Sequence, residues 1–168
     1  MNTYALPSLF GSLAFSSLAC FVLSNKPTTK VKILFSTLCL ETFWWQICWF
    51  ASFFVEDPAY ISLIAKVSYV TITFLPFTFY HFILTFLKRK QSRVELYFYY
   101  GIGVFLSLLL FPTNLYVRGH QSFWWGNFAA AGPLYPLFMV TAITSLLRGI
   151  FILSLAVKDP VSYNIPVS

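Results

Sequence analysis

The chain has 168 residues, 58% of them apolar and 10% charged, with 11 Lys and Arg against 5 Asp and Glu and a net charge of +6. Soluble domains of this size carry about 25% charged residues, so this inventory cannot cover a water-facing surface and a soluble enzyme is excluded. A spanning helix takes about 20 mostly apolar residues and the apolar positions supply about five of them, so the expected class is an all-α polytopic transmembrane bundle. The 20 Phe residues suit lipid-facing surfaces and interfacial belts.

Five helices are expected, at about 5–24, 33–54, 61–87, 94–111 and 133–157. The first run ends in Asn25-Lys26-Pro27-Thr28-Thr29-Lys30. It is longer than a signal-peptide core, follows no basic residue and precedes no A-x-A site, so it reads as a retained helix. Glu56-Asp57-Pro58 closes the second run, Lys88-Arg89-Lys90 the third, Pro112 the fourth and Lys158-Asp159-Pro160 the fifth. Residues 1–157 thus form one transmembrane domain, and 158–168 a short cytoplasmic tail with two prolines that cannot make a further span.

With the amino terminus outside, Lys26, Lys30, Lys32, Lys88, Arg89, Lys90, Arg93 and Lys158 all fall on the cytoplasmic side and Arg118 alone in an outer loop. Cytoplasmic loops carry the excess of Lys and Arg, so this asymmetry sets the orientation, with the carboxyl terminus in the cytoplasm of a multi-pass inner-membrane protein. The basic residues are spread over loop ends, so orientation explains the net charge and no nucleic-acid partner is expected. Cys20, Cys39 and Cys48 lie inside apolar runs and form no C-x-x-C pair, so no metal or cofactor is expected.

Ionisable side chains within hydrocarbon are costly and are functional candidates by default. At about 1.5 Å per residue, Glu41, His81 and Arg148 lie about 12, 9 and 13 Å from the cytoplasmic ends of their helices. A Glu41, His81, Arg148 cluster between helices 2, 3 and 5 is therefore expected as a polar coupling element, the alternative being an Arg148 that snorkels to the interface. Lys66 is expected to snorkel toward Glu56 and Asp57. Pro76 removes a backbone bond to Ile72 and is a candidate hinge, with Thr73 nearby to satisfy freed groups. Ser8, Ser12 and Ser16 make a small-residue stripe that serves contact within the bundle or, alternatively, across a homodimer.

The outer segment after Pro112 holds Arg118, His120, Trp124 and Trp125, which either cap a cavity for a small ligand or form an interfacial belt. Trp44, Trp45 and Trp49 bring indole N–H groups into helix 2, where each needs an internal acceptor or a polar ligand. There is no phosphate loop, G-x-S-x-G elbow or carboxylate pair, so no catalytic role is expected of this chain.

Over residues 34–153 the order of Trp44-Trp45, Leu75-Pro76 with Phe82, Pro112-Thr113-Asn114, Gly126 and Gly132-Pro133-Leu134-Tyr135 resembles the amino-terminal seven-helix sensor region of bacterial histidine kinases. The resemblance implies a receptor-like input module of a two-component system, with an outer amino terminus and a kinase or cyclase after the last helix. About the first five helices of that region are present here, so the chain reads as a truncated or shortened module coupled to a cytoplasmic signalling domain or partner. The rival readings are a small proton-coupled transporter or permease subunit using Glu41 and His81, and a membrane-embedded lipid-modifying enzyme.

Overall fold

The computed structural model describes residues 3–89 and 93–158, with the side chain of Arg93 outside the description. A short helical turn, Thr3–Ala5, leads into α1 (Leu6–Ser24), α2 (Lys30–Ser52), α3 (Pro58–Phe86) and α4 (Arg93–Leu110). The strands β1 (Val117–Phe123) and β2 (Gly126–Ala131) follow, and then α5 (Tyr135–Lys158). Lys90, and the tail expected in the cytoplasm beyond Lys158, lie outside the described residues. Four helices, Thr3–Ser24, Lys30–Ser52, Pro58–Phe86 and Tyr135–Lys158, are long and apolar enough to cross a membrane, and Val94–Leu110 is a shorter apolar helix.

Local chemistry sets the helix ends. Thr29 caps α2, its side chain accepting from the Lys32 N–H at 3.3 Å. Asp57 caps α3 by accepting from the Ala59 N–H at 2.7 Å, with Pro58 in the first turn, where its missing N–H costs nothing. This cap starts α3 at Pro58, three residues earlier than the apolar run suggested. The helix then runs uninterrupted through the buried Pro76 to Phe86.

The alternating helices leave two ends. The hairpin end gathers the start of α1, the end of α2, the start of α3, the end of α4 and the start of α5. The opposite, basic end carries Lys26, Lys30, Lys32, Lys88, Arg89 and Lys158. Between them α3 is the central element, packed against α2, α4 and α5.

Small residues permit the close approaches. A Cβ on Gly103 of α4 would stand 2.8 Å from the Phe74 ring, and one on Gly149 of α5 would stand 3.3 Å from Phe79. Near the basic end Phe77, Tyr80 and Leu84 of α3 pack with Leu96 and Tyr99 of α4 and Ile152 and Ala156 of α5. Near the hairpin end Leu106 and Leu110 pack with Tyr116, Val117, Phe138 and Ala142. On α1 the buried positions are Ser8, Ser12 and Ala19, just after the buried Ala5, and α1 packs on α2 within the bundle; Ser16 is half-buried.

The hairpin corrects the all-α expectation. β1 and β2 pair antiparallel from Phe123 opposite Gly126 back to Val117 opposite Ala131, so Trp124 and Trp125 form a two-residue turn. The register slips between Val117 and Gly119, and Gly119 adopts φ +148°, a conformation that glycine tolerates. At its base the Gly132 N–H donates to the Tyr116 carbonyl (2.9 Å) and the Leu134 N–H to the Leu115 carbonyl (2.8 Å). These bonds hold 132–134 against the preceding loop, in a turn closed by the Tyr135 N–H on the Gly132 carbonyl (3.0 Å), and α5 starts at Tyr135, two residues after the expected start at 133.

Candidate ligand cavity and intramembrane polar contacts

Beneath the hairpin lies a cavity of about 320 Å³. Its walls are Trp45, Cys48, Trp49 and Ser52 of α2, the first half of α3 from Ile61 to Ile72, and Tyr135 at the start of α5; His120, Asn127, Phe128 and Ala129 of the hairpin roof it. Two contacts pin that roof to the walls, Asn127 on Ser52 and His120 on Ser62. Asn127 Nδ2 donates to the Ser52 carbonyl at 3.3 Å, and Ser122 Oγ donates to Asn127 Oδ1 at 2.7 Å. Ser62 Oγ donates to the Pro58 carbonyl (2.8 Å) and meets Nδ1 of His120 at 2.8 Å. A serine hydroxyl has one proton, so satisfying both contacts puts the imidazole proton on Nδ1 and leaves Nε2 as an acceptor.

The walls are aromatic. The Trp45 and Trp49 rings are parallel within 5° at 6.4 Å, and Trp49 meets Phe128 edge-on at 5.3 Å. The Trp49 indole N–H has almost no accessible surface and no hydrogen-bond partner among the described residues. The Tyr69 and Tyr135 hydroxyls lie 3.3 Å apart; one donates to the other, which leaves one phenolic proton over.

Of the four residues expected to cap a ligand, only His120 lines the cavity. Arg118 is exposed on the outer face of β1. Trp124 stands 82% exposed at the turn, its ring edge-on to Tyr4 at 5.5 Å, and Trp125 stacks on Phe123. Trp124 thus stands clear of the cavity, while Trp125 backs its roof from behind, 4.5 Å from the Phe128 ring. Tyr69 and Tyr135 do line it; Tyr69 carried no signal among 10 tyrosines of an aromatic-rich chain, and Tyr135 stood out only as the end of the Gly132-Pro133-Leu134-Tyr135 segment.

The expected Glu41, His81, Arg148 cluster is divided by the structure. Glu41 Oε1 accepts from Thr78 Oγ1 at 2.9 Å, and His81 Nδ1 lies 3.2 Å from the Tyr100 hydroxyl, which itself interacts with Thr78. Glu41 and His81 therefore belong to one polar row across α2, α3 and α4, joined through Thr78 and Tyr100 rather than to each other. Arg148 is elsewhere: its Nη1 pairs with Glu95 Oε1 at 2.8 Å, beside Tyr80 and Tyr99. Equal depth along separate helices does not fix rotation, and α5 turns Arg148 toward α4. Glu95 went unnoticed in the sequence because it sits in the first turn of its helix, where a carboxylate is unremarkable.

Two further expectations are corrected. Lys66 does not reach Glu56 or Asp57; its Nζ donates to the Thr113 carbonyl (3.0 Å) and Asn114 Oδ1 (3.1 Å), bracing the loop after α4. Thr73 does not serve the carbonyl freed by Pro76. It donates to the Tyr69 carbonyl at 2.5 Å and so accepts from the Tyr116 hydroxyl at 2.9 Å. Tyr116 is fully buried at the hairpin base, and burial pushes its phenol above the usual tyrosine value of 10.0. Of the helix 2 tryptophans, Trp44 finds the Val67 carbonyl at 3.3 Å. Among the described residues no group of three or more His, Cys, Asp or Glu is placed to hold a metal.

The sequence profile of the N-terminal 7TM region of histidine kinases matches residues 7–164. The chain belongs to that family. No curated protein and no solved structure gives a significant match. In this histidine-kinase 7TM region, the short sequence features that carry the resemblance are joints of the fold. Thr113 and Asn114 receive Lys66, and Gly126 packs a would-be Cβ 3.2 Å from the Phe53 ring. Gly132 and Leu134 tie the hairpin base to α5, while Tyr135 joins the cavity wall.

Proposed function

We propose that this histidine-kinase 7TM region is the membrane input module of a two-component-type signalling protein, crossing the inner membrane five times with its hairpin end outside and its basic end in the cytoplasm. The observation that carries the reading is the placement of the cavity. It lies beneath the hairpin, at the end of the bundle opposite the basic cluster, where an extracytoplasmic or membrane-borne stimulus arrives. Family membership and the gathering of Lys and Arg at the opposite end support it.

The route from stimulus to output is mechanical. The roof is fastened to α5 by the Gly132 and Leu134 backbone bonds, so displacement of the hairpin is displacement of the amino-terminal end of α5. Helix α5 runs to the basic end, where Arg148 grips Glu95 of α4, and a cytoplasmic signalling domain or partner would read its movement there. Pro76 and the Glu41, Thr78, Tyr100, His81 row are the candidate couplers.

The test joins the chain to a cytoplasmic histidine-kinase domain after its last helix and reads autophosphorylation in membranes. Gly132→Ala, which wedges the hairpin base, should shift the output, whereas Gly101→Ala should not. An unchanged output from correctly inserted Gly132→Ala protein would refute the hairpin-to-α5 route. Topology reporters at residue 91 and at the carboxyl terminus should read cytoplasmic and one at residue 120 external, and a cytoplasmic residue 120 overturns the orientation.

A second reading, proton-coupled transport, is favoured by the polar row alone. It predicts proton flux in reconstituted vesicles that Glu41→Gln abolishes, where the sensor reading predicts no flux.

A further inference from the structure

The hairpin turns one side chain with an unused hydrogen-bonding atom toward the cavity. In the strand ladder His120 stands opposite Ala129, and Ser122, two residues on, stands opposite Asn127. Cross-strand partners and alternate residues share one face of a ladder, and Ala129 and Asn127 both line the cavity, so His120 lies on the face that looks into it. Its Nδ1 proton goes to Ser62, which is outside the cavity wall. That leaves Nε2 as an acceptor with accessible surface and no partner among the described residues. The wall's serine hydroxyls do not supply one, because Ser52 Oγ donates to the Trp49 carbonyl at 2.7 Å and Ser68 Oγ to the Ala65 carbonyl at 2.8 Å. A molecule entering the cavity is therefore favoured if it brings its own O–H or N–H to that nitrogen.

The remaining walls set the body of the ligand. No Lys, Arg, Asp or Glu lines the cavity, so an ionised molecule would lose its hydration there and gain no counter-charge. The parallel rings of Trp45 and Trp49 and the edge-on Phe128 favour a flat aromatic shape. The volume of about 320 Å³ is at the lower end of the range that small-molecule sites occupy. We propose that the cavity binds a small uncharged aromatic molecule whose O–H or N–H donates to Nε2 of His120. As the stimulus of the input module this ligand rests on the sensor reading above. As a binding site it rests on the cavity and His120 alone.

The photoreactive phenol meta-(trifluoromethyldiazirinyl)phenol tests this on the purified full chain in detergent. Irradiation should label the cavity-facing peptides of α2, α3 and the hairpin saturably, and 2-naphthol, un-ionised near neutral pH, should compete. Naphthalene has the same flat body but no donor. At matched concentration within the detergent it should compete about tenfold more weakly, the worth of one buried hydrogen bond. Ionised 2-naphthoate should also compete more weakly than 2-naphthol. His120→Phe removes the acceptor and keeps a ring in the roof. It should weaken 2-naphthol by about the same tenfold and abolish its preference over naphthalene.

Unsaturable labelling spread over outward-facing surfaces would show a cavity that takes only water or lipid, and overturns the proposal. Equal competition by naphthalene also overturns it, without any variant having to fold, and so does 2-naphthoate competing as well as 2-naphthol. The sensor reading has its own measure in the output of the Gly132→Ala kinase fusion. Saturable, donor-selective labelling beside an unmoved fusion sustains the site and removes the sensor reading. A shifted fusion without such labelling removes the site and keeps the reading.

Discussion

Gly132→Ala is the sharpest perturbation of the hairpin base. A Cβ there would stand 2.3 Å from the Leu115 carbonyl oxygen and 2.6 Å from that of Asn114. Ordinary contact is about 3.5 Å, so the two backbone segments must separate by about 1 Å, and no rotamer change can relieve a clash with main chain. That separation stretches the Gly132 to Tyr116 bond (2.9 Å) and the Leu134 to Leu115 bond (2.8 Å) beyond useful length. Two bonds at about 1 kcal/mol each, with about 1 kcal/mol or more of overpacking, give a loss of about 3 kcal/mol. For a chain of this size the melting temperature should fall by about 6–12 °C if the loss is felt globally. If the hairpin opens on its own, hydrogen exchange across 117–131 should accelerate instead. The control is Gly101→Ala, where an added Cβ meets nothing within 4 Å. It should leave stability unchanged or raise it by up to about 1 kcal/mol through helix propensity. A Gly132→Ala protein with wild-type melting and wild-type exchange would refute the reasoning.

Tyr116→Phe deletes the hydrogen bond to Thr73 while Thr73 keeps its bond to Tyr69, so detergent unfolding should show a loss of about 1 kcal/mol. The phenol has a raised folded-state pKa, so its contribution is full below about pH 10 and declines as the pH rises further. The alkaline fall in stability should therefore be shallower in Tyr116→Phe, and an identical fall would rule this group out as a cause. The Arg148 side chain is 54% exposed and that of Glu95 20%, so removing the pair with Arg148→Gln should cost less than about 1 kcal/mol. Arg148→Glu should cost more by setting like charges together, and adding Glu95→Arg should recover most of the loss; without recovery the two do not pair. Glu41→Gln keeps an acceptor for Thr78, so insertion should hold and melting should change by no more than about 1 kcal/mol.

The membrane class, the approximate helices and the family were legible because composition and hydropathy are summed over many residues and survive errors at any one position. The amount of charge at each helix end was legible for the same reason. What failed were pairings. Depth from a helix end follows from counting, but the direction of a side chain around the helix axis depends on which neighbour the helix leans on. Counting thus put Arg148 level with Glu41 and His81, and packing turned it to Glu95. Lys66 likewise has acidic residues between two and three helical turns away in sequence, yet reaches Thr113 and Asn114 across the bundle.

Composition is enough to put this chain in a membrane as a bundle of apolar helices, with most of its cations at one end, because so little charge over 168 residues cannot cover a water-facing surface. Tertiary structure alone decided the hairpin and the cavity beneath it. Residues 126–131, Gly-Asn-Phe-Ala-Ala-Ala, have no strand preference of their own and extend because β1 offers them a ladder. The cavity walls come from α2, α3, β1, β2 and α5, whose residues are brought together by packing and share no local pattern in the chain.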